Sequence, residues 1–163
     1  MNLRPTLLML ALAVAATSAV AQDWKQSLKD AAKLQAQGKM ESSLGLAKAA
    51  PAGAVTYLIN LKDGDTVSNP VLVQFGLKNA GVAPAGTQSE TAGHHHLLID
   101  DPQLDLTVAL PMTDNIKHFG GGQTETTLTL KPGKHTLQLL FADWKHQSFN
   151  PAVMSPKITI TVK

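Results

Sequence analysis

The chain carries six histidines and no cysteine, so its metal or proton chemistry rests on imidazole. Three of the histidines are adjacent, in the stretch GHHHLLIDD at 93–101. A neutral imidazole offers a metal ion a lone pair and offers a substrate a base. Residues two apart in a strand point to the same side and lie about 6.6 Å apart. His94 and His96 therefore share one side with Asp100, and His95 shares the other with Leu97 and Ile99. Two imidazoles at that spacing can reach one ion, which makes His94 and His96 half of a site. His118 and His146 are the histidines able to complete it, with Met112, Asp114, Asp143 and Met154 in reserve. The plainer reading is that such residues open a strand and tie long loops together by hydrogen bonds. It is the stronger reading for His95, at the edge of the expected core, and for His135, which shares a face with Leu137 and Leu139.

Imidazole donors suit copper, zinc, nickel or iron. Methionines near two of the histidines favour copper, with zinc as the other candidate. A copper brace on the terminal amine is excluded, because Gln22 or Asp23 stands where the mature chain would need histidine. Other chemistries find less support. The run HFGGGQTE at 118–125 leads into a strand rather than a helix, so it is no phosphate cradle. Its glycines instead predict a tight turn with positive φ that lets backbone approach the histidines. There is no Gly-x-Ser-x-Gly elbow, and Ser68, Ser89 and Ser148 lack an evident base. A metal-activated water with Glu125 or Asp143 as base is the one enzymatic version with a rationale, and it ranks below simple binding. No organic cofactor is indicated.

These side chains need elements to position them. From Val55 onward apolar residues alternate with polar ones, predicting strands over 55–61, 71–77, 94–100, 104–110, 124–130, 134–142 and 156–163. Seven short strands separated by Gly, Pro, Asn and Asp turns fit an all-β, immunoglobulin-like antiparallel β-sandwich. If consecutive strands alternate in direction, the long connections 78–93, 111–123 and 143–155 share one end. His94, His95, His96, His118 and His146 all lie at that end, and His135 lies at the other.

The rest of the chain bounds the setting. Residues 1–21 read as a signal peptide: Arg4 precedes an apolar run from Thr6 to Val20, and Ala19-Val20-Ala21 is a small-x-small cleavage site. The apolar run is too short for a membrane span, so no transmembrane segment is expected in the mature chain. A periplasmic or secreted location follows, with no cysteine for a lipid anchor. Residues 22–54 form a leader. Trp24, Leu28, Ala31 or Ala32, and Gln35 share a helical face behind an Asp23 cap, and Gly38 ends the helix ahead of an Ala-rich linker. The sandwich domain is assigned to 55–163. Beyond the signal the chain has thirteen lysines against twelve acidic residues and no arginine, which argues against nucleic-acid partners.

The segments VTYLINLKDGDTVSNPVLVQFGLKNAGVAPAG, GHHHLLID, HFGGGQTETTLTLKPGKHTLQLLFAD and SPKITITVK resemble a family of bacterial exported domains of unknown function. The resemblance covers about residues 55–163. It implies a single sandwich-like exported domain and brings no reaction, ligand or partner with it. It also implies a further histidine near position 149, where this chain has Phe149; were that residue a ligand, the site here would have one donor fewer. The expected function is a periplasmic or secreted module that binds copper or zinc through His94, His96, His118 and His146. The alternative is a cell-envelope domain that contacts a protein or glycan, with structural histidines.

Overall fold

The computed structural model describes residues 23–33, 36 and 47–163. Two compact units divide the chain, Met1–Gly45 and Leu46–Lys163. In the first, residues 23–33 are helical, in the region where the Asp23 cap predicts a helix, with Trp24 and Leu28 exposed. The signal segment and its cleavage site lie outside the described residues. Among those described, no helix is long and apolar enough to cross a membrane.

The second unit is β throughout: β1 Val55–Leu58, β2 Thr66–Val67, β3 Val71–Lys78, β4 Gly81–Val82, β5 Ala92–Ile99, β6 Ile116–His118, β7 Glu125–Leu128, β8 Gly133–Ala142, β9 Ser148–Met154 and β10 Ile158–Val162. A three-stranded sheet runs β1-β3-β7. The larger sheet runs β2-β10-β8-β5-β4, with β6 added to β5 and β9 to β8. Val71, Val73, Phe75 and Leu128 of the small sheet share one buried cluster with Leu97, Ile99, Leu137, Leu139, Ile158 and Ile160 of the large one. Alternation explains this on β3, where Val71, Val73 and Phe75 are buried while Leu72 is exposed.

On β5 alternation gives way to continuous burial from Gly93 to Ile99. The outer face of the large sheet is covered as well: Leu98, Leu140 and Ala142 pack with Leu110 and Ile116, and Leu104 and Leu106 lie over them. A strand covered on both faces buries every side chain, polar ones included.

The cover is a correction to the sequence reading. The strand expected over 104–110 does not form, although its leucines are buried or partly so. The Asp105 carboxylate accepts from the Thr107 amide at 2.9 Å and its hydroxyl at 2.6 Å, which bends the backbone into a turn. Among the described residues the segment pairs only at an isolated bridge, Ala109 with Gln147. Conversely, the connections 111–123 and 143–155 are not simple loops, since they contain β6 and β9. The end of the expected linker belongs to the β unit: Ala49 bridges Asn150, and Ala50 and Ala54 pack beside Phe141 and Phe149.

Candidate metal centre

β5 supplies the floor of the site. Its register against β8 sets His94 opposite Ala142 and His96 opposite Leu140. Gly93 permits this, because a β-carbon there would run into the Ala142 carbonyl. His94 and His96 point to the same side with ring centroids 4.9 Å apart, and both are fully buried.

β6 supplies the third imidazole. It pairs antiparallel with β5 so that His118 stands opposite His96. The His118 ring lies 4.9 Å from that of His94 and 5.1 Å from that of His96. Gly120 makes room for it, since a side chain there would overlap the His118 ring. Gly122 takes φ +81° and closes the turn, its amide donating to the Phe119 carbonyl at 3.1 Å. The glycine run therefore shapes the pocket wall, and the chain goes on into β7, not a helix.

The fourth imidazole comes from the turn after β8. Asp143 is buried, and its Oδ1 accepts from the amides of Lys145 at 2.8 Å and Gln147 at 2.9 Å. Within that clamp His146 takes φ +67°. Left-handed backbone at a non-glycine residue costs about 1–2 kcal/mol, so the turn and its neighbours must hold it in place. The Leu110 amide also donates to the His146 carbonyl at 2.8 Å. The His146 ring lies 4.6 Å from His118, 5.0 Å from His94 and 6.1 Å from His96. A register shift between Phe141 and Ala142 re-pairs β9 and marks where the chain leaves the ladder.

All four histidines singled out from the sequence thus come together. One potential donor atom from each of His94, His96 and His118 lies within 4.8 Å of the others. A metal–nitrogen bond of about 2.0–2.1 Å sets tetrahedral donors about 3.3 Å apart. Both ring nitrogens of His94 and of His96, and Nε2 of His118, are buried without a hydrogen-bond partner among the described residues. Buried polar groups are nearly always partnered, so five such atoms in one place are exceptional.

The electrostatics keep the lone pairs free. Burial, and then the positive charge that His118 and His146 would carry, hold His94 down to about 4. Burial, then His94 and the other histidines, hold His96 at about 3. His118 is lowered too, by burial and then by His146. At neutral pH these imidazoles are uncharged and able to ligate.

The remaining residues fall elsewhere. His95 faces the interior between Phe75 and Phe141, with Thr56 Oγ1 3.4 Å from its Nδ1. Burial lowers its pKa to about 4. His135 has Nδ1 3.0 Å from the Asp100 carboxylate and Nε2 2.9 Å from the Lys131 carbonyl. Burial pulls its pKa down, but the Lys131 carbonyl and the Asp100 carboxylate outweigh that, and the net shift is upward. Of the reserves, Asp114 is exposed and 3.5 Å from Lys117 Nζ, and Met154 packs against the Leu98 cluster. Met112 is 72% exposed on an open groove that it shares with Asp114, Lys117 and His118. Phe149 is buried against Phe141 and Val153. What sequence reasoning missed is the clamp on His146; the signal was the polar run DWKHQ, in which an Asp can accept from amides two and four residues on.

A family model described as a domain of unknown function (DUF4399) matches residues 73–163, a span that contains all four clustered histidines. No curated protein and no solved structure matches the chain.

Proposed function

The chain belongs to the DUF4399 family of domains of unknown function, and we propose that it is a binding module that holds a transition metal, copper or zinc, through His94, His96, His118 and His146. The observation that carries this reading is the set of buried imidazole nitrogens with no partner among the described residues. Leaving such an atom unpaired costs about 1–3 kcal/mol, and a shared ion satisfies several of them at once. Their low proton affinity means that protons compete weakly for the same lone pairs at neutral pH. His94, His96 and His118 form the donor set, and His146 closes it from the more exposed side. Four protein donors leave no open position, which suits storage or transfer better than catalysis.

The proposed setting is periplasmic or secreted, after removal of residues 1–21. Two sheets around one apolar cluster support an immunoglobulin-like sandwich as the scaffold.

Equilibrium dialysis of the purified protein against copper and zinc, followed by metal analysis, tests the function. One ion per chain is expected in the wild type and none in a His94→Ala/His96→Ala double variant. No binding by the wild type, or unchanged binding by the variant, rejects it. The second reading, a domain that contacts an envelope protein or glycan, draws on the exposed Val108 and Met112. It predicts capture of a partner that survives chelation.

A further inference from the structure

We infer that the ion this site is built for is monovalent, cuprous copper; the inference rests on the metal-binding reading above and concerns which ion fills it. The three side chains that bring donor atoms within 4.8 Å of one another are all histidines, and the fourth ring against them is His146. No carboxylate belongs to that donor group among the described residues. The acidic residues nearest in sequence are engaged elsewhere. Asp143 Oδ1 accepts from two amides of its own turn, Glu90 pairs with Lys48, Asp100 pairs with His135, and Asp114 is exposed beside Lys117.

A divalent ion would therefore bring two positive charges against His94 and His96, both 0% exposed, with no carboxylate among the donors to offset them. The self-energy of an ion in a poorly polarisable interior grows as the square of its charge, so a divalent ion carries about four times the penalty of a monovalent one of similar size. Zinc or cupric copper would have to bring an anion with it or stay partly hydrated. Cuprous copper needs neither. Among divalent ions copper binds nitrogen donors most strongly, so cupric copper is the sharpest competitor.

The test compares dissociation constants on the purified protein. Cu(I) is titrated anaerobically against bicinchoninate, and Cu(II) and Zn(II) against nitrilotriacetate. A constant for Cu(I) at least a hundredfold below both others is expected, and a smaller margin overturns the inference while leaving the metal site in place. Failure to bind any of the three ions overturns the site itself. A His118→Asp variant puts a carboxylate into the donor set and should shift the Cu(I)-to-Cu(II) preference at least tenfold toward Cu(II). An unchanged ratio overturns the charge argument even if the wild type prefers Cu(I). Should that variant fail to fold, His146→Asp serves the same purpose, because aspartate tolerates the left-handed φ of +67° at that position.

Discussion

His118 stands directly across the β5–β6 ladder from His96, with ring centroids 5.1 Å apart. A ladder fixes that relationship through backbone hydrogen bonds, so the two imidazoles meet whether or not an ion is present. The cluster is preorganised, and burying its unpartnered imidazole nitrogens strains the folded chain.

That strain is measurable. Both His96 nitrogens are buried and have no partner among the described residues, and leucine occupies a similar volume without polar atoms. His96→Leu should raise the stability of the metal-free protein by about 1–3 kcal/mol and abolish metal binding. A purely structural His96 predicts the opposite, a less stable variant. Chemical denaturation in the presence of a chelator decides between them.

Asp143 is expected to act through His146. Replacing it with alanine frees the amides of Lys145 and Gln147 and relaxes the left-handed turn. Metal affinity should fall about 10–100-fold, the range for residues that orient ligands. Asp143→Asn keeps an oxygen that both amides can reach and should recover most of the affinity. Equal loss in the two variants would mean that the carboxylate's charge, rather than its geometry, is what matters.

Gly120→Ala should displace the His118 ring that lies over it. Overpacking of this kind costs about 1–3 kcal/mol, and here it also moves a donor. Thermal unfolding and metal stoichiometry on the same variant should fall together. Gly64 has open space around it at φ +86°, so Gly64→Ala is the control: backbone strain lowers its stability while metal binding stays intact.

Acid should destabilise the metal-free protein. His94, His95 and His96 are held at about 4, about 4 and about 3 in the folded state, against about 6.5 when unfolded. Below about pH 6.5 the unfolded chain binds more protons, so stability falls as the pH drops through that window. His135 works the other way. Its raised value adds stability below about 6.5 that is lost as pH rises through its folded pKa. Three groups outweigh one, and calorimetry should give a lower melting temperature at pH 5 than at pH 7. A His135→Gln variant should fall further over that interval. A metal-free protein more stable at pH 5 would contradict the placement of these rings.

Much of this was legible in the residues alone. Period-two alternation located the strands that carry the core, because a side chain's face in a strand follows from parity. The same parity put His94 and His96 together and His95 on the far side with Leu97. The error at 104–110 has a physical source: alternating leucines describe a surface to be buried, and an irregular segment pinned by Asp105 buries them as well as a strand does. Parity over seven strands also led to His118 by the wrong route, since β6, not a shared loop end, delivers it.

What the sequence by itself determined is the chemistry available, imidazole without thiolate, and the local direction of each side chain. Only the tertiary structure decided that β5 is covered on both faces, which buries His94 and His96 away from water and leaves their ring nitrogens without partners among the described residues. It also decided that the Asp143 clamp turns His146 toward them. Burial and convergence depend on contacts between residues far apart in the chain, and no local pattern encodes which distant segment will lie above a strand.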